Sequence, residues 1–114
     1  MHEMSLCQAI ADTVSAQADG ASVRQVNVRI GYLRQVVPES LLFSWEVLTM
    51  DTPLAGCTLD VEHVPAVVVC AGCGARTTLD LPVLACSSCA SHDVELVSGE
   101  EFLIVSMDVA EEVG

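Results

Sequence analysis

The sequence predicts an α+β fold: a three-stranded sheet covered by two helices, with a small four-cysteine lobe inserted between the second and third strands. Three observations carry that expectation. Two segments repeat apolar residues at helical spacing, three alternate with the period of two that a half-buried strand requires, and four of the six cysteines fall in two tight pairs. At 114 residues and 52% hydrophobic content, the chain has room for one ordinary core plus a lobe stapled by something other than apolar burial. Two independent domains of normal size are not expected.

The elements follow in order. From Ser5 to Ala18, Leu6, Ile10 and Val14 recur every fourth residue among helix-forming alanines, and Gly20 stands just past the end, where a helix C-cap belongs. Val26, Val28 and Ile30 then alternate with Gln25, Asn27 and Arg29, giving a strand ended by Gly31. Pro38 suits the first turn of a second helix, for which Leu41, Leu42, Trp45 and Leu48, together with Val47, supply a broad apolar face that stops before Asp51-Thr52-Pro53. Trp45 is read as core. The second strand is Cys57 to Val64, with Cys57, Leu59, Val61 and His63 on one face, His63 half-buried, and Pro65 closing it. The third is Glu101 to Val109, where Leu103, Val105, Met107 and Val109 alternate with Ile104, Ser106 and Asp108. Residues 1–65 and 99–114 are thus expected to form an α/β domain, and residues 66–98 an inserted domain.

Charge narrows the partners. Four arginines and no lysine face sixteen acids, a net charge of −12, which repels phosphate backbones and argues against nucleic acid. A cation or a basic protein face suits this surface better. Apolar runs such as Val64 to Ala71 fall short of the roughly 18 residues of a membrane span, so none is expected. Met1-His2-Glu3-Met4 lacks the basic-then-apolar pattern of a secretory signal, and the expected location is cytoplasmic.

A reducing cytoplasm disfavours disulfides, so metal ligation is the better account of the cysteines. Cys70-Ala71-Gly72-Cys73 and Cys86-Ser87-Ser88-Cys89 are each a C-x-x-C, twelve residues apart. Each pair turns two thiolates toward one centre, and two such turns complete a tetrahedron, as in a zinc ribbon. Zinc is the first choice of metal, and iron in a rubredoxin-like site the runner-up. Four protein ligands close the coordination sphere, so the metal is structural and the lobe is not catalytic. His92, three residues past Cys89, is read as an exposed loop histidine, and Cys7 and Cys57 as small core residues. None of the three histidines, His2, His63 and His92, is paired by any motif with a nucleophile, so an enzyme is not expected.

The amino terminus offers a second metal site. With histidine at position 2, the terminal amine, the His2 amide nitrogen and the His2 imidazole can close two fused chelate rings, a planar nitrogen set preferred by Ni(II) and Cu(II). Met1-His2-Glu3-Met4-Ser5-Leu6, Val28-Arg29-Ile30-Gly31 with Leu33, Val37-Pro38-Glu39-Ser40-Leu41 and the two C-x-x-C pairs together resemble the hydrogenase maturation nickel metallochaperones of the HypA/HybF family, over essentially the whole chain. The resemblance implies a nickel-binding α+β domain with an inserted zinc domain, which delivers Ni(II) to the hydrogenase large-subunit precursor together with a maturation GTPase. It also implies that His2 is a nickel ligand, that Glu3 supports the nickel site and partner contact, and that Cys70, Cys73, Cys86 and Cys89 hold zinc. Glu39 lies near where some members place an aspartate, and is one carbon longer. Service to urease and formation of a homodimer are left open. The competing reading is a zinc-ribbon adaptor that binds only protein and transfers no nickel.

Overall fold

The computed structural model describes residues 2–110. Its elements are α1 (His2–Ala18), β1 (Val23–Gly31), a single 3-10 turn (Tyr32–Arg34), α2 (Pro38–Thr49), β2 (Thr58–Val64), β3 (Val67–Cys70), β4 (Arg76–Thr78), β5 (Val94–Ser98) and β6 (Phe102–Val109). The strands form two three-stranded sheets, ordered β2-β1-β6 and β4-β3-β5. By its contacts the chain divides into two compact units. One contains the chain up to Val28, Val36–Glu62 and the described residues from Leu103 on; the other contains Arg29–Gln35 and His63–Phe102.

In the first unit, α1 begins at His2, a turn earlier than the helical spacing indicates, with the acid Glu3 in a first turn whose free N–H groups favour negative charge. It ends where Asp19 and Gly20 both take positive φ and the Ala21 N–H returns to the Ala18 carbonyl. Its buried residues are Glu3, Cys7, Ile10 and Val14. Leu6, placed by the sequence on the buried stripe, is only half-buried. The reason is angular: steps of four, three and four residues stay on one face at about 100° per residue, whereas uninterrupted steps of four drift away from it.

Helix α2 starts with Pro38 just inside its first turn and buries Leu41, Trp45 and Thr49. The Trp45 indole donates to the Cys57 carbonyl at 2.9 Å, and the Thr49 hydroxyl to the Trp45 carbonyl at 2.8 Å, so the polar handles of this wall are satisfied. Leu42 and Val47, assigned by the sequence to the apolar face, remain exposed. Strand β1 buries Val23, Val26, Val28 and Ile30, as its alternation requires. Strand β6 departs from its expected alternation: Leu103, Val105 and Val109 are exposed, and Phe102, Ile104 and Met107 are half-buried. Apolar residues occupy both faces of that strand, so period two does not say which face turns inward. His63 on β2 is exposed, not half-buried.

The second unit is organised on β3, which pairs antiparallel with β4 (Val68 opposite Thr77) and with β5 (Cys70 opposite Val94). Ala66, Val68 and Leu79 form its buried cluster, against which Tyr32, Leu33, Val94 and Leu96 pack. The 3-10 turn therefore contributes to this core from outside the cysteine segment. The backbones at Gly31 and Gly99 approach closely: the Leu33 N–H donates to the Gly99 carbonyl at 2.7 Å, and the Gly31 N–H to the Glu101 carbonyl at 2.8 Å.

Candidate metal centre

The four cysteines converge. Cys70 ends β3, Cys73 follows in the turn toward β4, and Cys86 and Cys89 lie on the irregular segment before β5. Their sulfurs all lie within 4.8 Å of one another, with Cys70 to Cys89 and Cys73 to Cys86 each at 3.6 Å. A tetrahedral zinc with bonds of about 2.3 Å needs ligand sulfurs about 3.8 Å apart, so the donor set and its spacing fit such an ion.

Two turns of the same construction hold the thiols. In the first, the Gly74 N–H donates to the Cys70 carbonyl and the Cys70 N–H to the Ala75 carbonyl; in the second, the Ala90 N–H donates to the Cys86 carbonyl and the Cys86 N–H to the Ser91 carbonyl. Each turn needs a left-handed residue at its fourth step, Gly74 at φ 75° and Ala90 at φ 61°. Glycine takes that conformation freely, whereas alanine pays about 1 kcal/mol. We expect Gly74→Ala, with nothing within 4 Å of the added methyl group, to destabilise the metal-loaded lobe by about 1 kcal/mol. Ala90→Gly is expected to raise its thermal midpoint, with a gain in stability of less than about 1 kcal/mol, because glycine also gains unfolded-state entropy. Melting curves of the two variants moving in the same direction would refute this account.

The electrostatics call for a cation. Backbone N–H groups of Cys89 and Ser88 pull the Cys86 thiol down to about 6, and those of Cys73 and Gly72 lower Cys70. At Cys73 the Ala75 N–H acts downward, but the neighbouring Cys86 and Cys70 sulfurs and burial prevail and push the thiol up to about 11. Cys89 is likewise raised: the Ser91 N–H acts downward and is outweighed, chiefly by Cys70 and Cys86. Without a metal, the cluster thus splits into two easily ionised and two reluctant thiols, because adjacent negative charges repel. A divalent ion removes that conflict.

Sequence reasoning missed Thr77. This buried β4 residue accepts the Ser87 backbone N–H at 3.1 Å, and its hydroxyl lies 3.1 Å from that of Ser87, tying the sheet to the second turn. Nothing in its local sequence signals this, since the partner lies ten residues away. His92 is exposed, with Nδ1 3.2 Å from the Leu84 carbonyl. The four cysteines are the only cluster of at least three metal-ligating side chains among the described residues.

At the other end of the sequence, the His2 side chain is 48% exposed, and its Nε2 lies 3.4 Å from a carboxylate oxygen of the buried Glu3. The Glu3 carboxyl is held below its ordinary value, first by hydrogen bonding with the amino terminus and then, against burial, by the charges of that terminus and of His2 and by the Val37 backbone N–H. The Met1 amine of the expected chelate lies outside the described residues. Glu39 is exposed in the first turn of α2. Cys7 is fully buried; its thiol donates to the Leu41 carbonyl at 3.4 Å and is pushed up to about 11, mainly by burial and then by Glu3. Cys57 is buried and raised by burial alone. No helix among the described residues is long and apolar enough to cross a membrane.

Two helices, two three-stranded sheets and a converging set of four thiols define the class: a small α+β protein with a four-cysteine metal site. Residues 1–109 match the family model described as hydrogenase/urease nickel incorporation, metallochaperone, hypA, and the chain belongs to that family of nickel metallochaperones for hydrogenase maturation. It is 42% identical over 114 residues to the hydrogenase maturation factor HypA of Chlorobium limicola, covering 97% of this chain and 98% of that protein. To the HypA of Desulfosudis oleivorans it is 38% identical over 115 residues, covering 97% and 100%. The solution structure of the Ni metallochaperone HypA from Helicobacter pylori superposes with a TM-score of 0.64 at 20% identity, covering 98% of this chain and all of that one. That match shows the shared fold.

Proposed function

We propose that this chain carries one Ni(II) at its amino terminus, bound through His2 with support from Glu3, and releases it to a hydrogenase large-subunit precursor in concert with a maturation GTPase in the cytoplasm. Cys70, Cys73, Cys86 and Cys89 hold a structural zinc in the lobe of residues 66–98. The protein acts as a carrier, not an enzyme, since four thiolates leave a bound ion no open position for substrate. Membership of the nickel-incorporation family carries this reading, and the exposed imidazole at the first residue of α1 supports it. The first N–H groups of a helix have no intrahelical acceptor, so ligation by the His2 amide nitrogen breaks no helical hydrogen bond.

Nickel titration of protein beginning at Met1, followed by calorimetry and visible absorption, tests the proposal. One Ni(II) is expected, and His2→Ala is expected to abolish binding with the melting temperature unchanged, because the side chain is half in water. An extension before Met1 is expected to alter the spectrum by removing the amine. Unchanged affinity and spectrum in both altered proteins would place nickel elsewhere. A protein-binding adaptor without cargo would show no stoichiometric His2-dependent site.

A further inference from the structure

Beside α2 lies a groove that neither metal site uses. Leu42, Trp45 and Met50 form one wall, and Ala55, Cys57 and Leu59 the other, around about 500 Å³. Leu42 and Met50 are 47% and 58% exposed, and Phe43 and Val47 extend the apolar lip at helical spacing from Met50. Strand β2 begins in this wall and is an edge strand, paired with β1 on one side only, so its other edge is a template for an added strand. Glu46 lines the groove, and Asp60, next along β2 from Leu59, is exposed on the opposite face of the strand. None of the four arginines lines it.

We propose that this groove and the β2 edge receive an extended, basic segment of another protein by strand addition. Alternate apolar side chains of the segment enter the groove, its main chain pairs with β2, and the cationic residues between them lie on the Asp60 face of the strand. Charge selects this occupant over a second copy. Two β2 edges brought together would bring the Asp60 carboxylates of both strands onto one face, on chains of net charge −12 each. Residues 111–114, Glu-Glu-Val-Gly, are acidic and unsuited for the same reason.

The test is an amide NMR titration of the zinc-loaded full chain with an end-blocked peptide of about ten residues alternating lysine and valine. Shifts are expected within residues 42–50 and 55–64, with none from the matching glutamate-valine peptide. Met50→Asp and Leu42→Asp, at exposed positions, are expected to weaken binding about tenfold with the melting temperature unchanged. His2→Ala is expected to leave it intact, so the outcome is independent of the nickel proposal. Shifts scattered over the whole acidic surface, or full affinity in the aspartate variants, would overturn the proposal. So would a dimer, seen by light scattering, that Met50→Asp dissociates.

Discussion

Cys86→Ser is expected to abolish stoichiometric zinc retention and amide protection throughout β3, β4 and β5, while α1 and α2 keep theirs. The apolar core of this unit is small: Ala66, Val68 and Leu79 are its buried members, and a Val or Leu contributes about 1.5–3 kcal/mol on burial. A structural zinc supplies about 10–16 kcal/mol at neutral pH, so the metal dominates. Zinc binding must also displace protons. With Cys73 pushed up to about 11 and Cys89 raised, both are protonated at neutral pH, and affinity falls with acidification. The fall steepens below about 6, where Cys86 also takes a proton. Metal analysis with hydrogen exchange checks the first claim, and competition titrations against pH the second. A lobe that stays ordered after chelation, or an affinity independent of pH, would contradict them.

Gly31→Ala is expected to cost about 4 kcal/mol or more, a large fraction of a small protein's stability. The reason is space. Gly31 has φ −79°, which alanine adopts without strain, but a Cβ there would lie 2.1 Å from both the carbonyl carbon and oxygen of Gly99 and 2.5 Å from the Glu100 nitrogen. Those are backbone atoms held by the Leu33-to-Gly99 and Gly31-to-Glu101 hydrogen bonds, so they cannot swing aside as a side chain would. Gly20→Ala is the control. Gly20 has φ +87° with nothing within 4 Å of an added Cβ, and only the left-handed strain of about 1 kcal/mol applies. Urea unfolding of the two variants measures the difference, and equal costs would refute the steric argument.

The sequence by itself determined the elements whose cause is local. Helix α2 is legible because proline at its start and a turn at its end bound an apolar run. The C-x-x-C pairs are legible because small residues let two thiols share one turn. The family was legible because its motifs span the chain from Met1 to the cysteines. What depends on residues distant in sequence was not legible. Gly31 reads as the end of a strand, yet its main constraint is Gly99, 68 positions on. Tyr32 and Leu33 fall between the first expected strand and the second expected helix, yet they pack on the cluster of Ala66, Val68 and Leu79. Glu3 is expected from the resemblance to support a nickel site, but nothing local indicates that it is buried within reach of the Val37 N–H. On β6, apolar residues on both faces leave the inward set undefined until the strand pairs with β1. Hydrophobic period and turn chemistry act within a few residues, whereas burial is decided by whatever the completed fold brings to a surface, and only the tertiary structure supplies that neighbour.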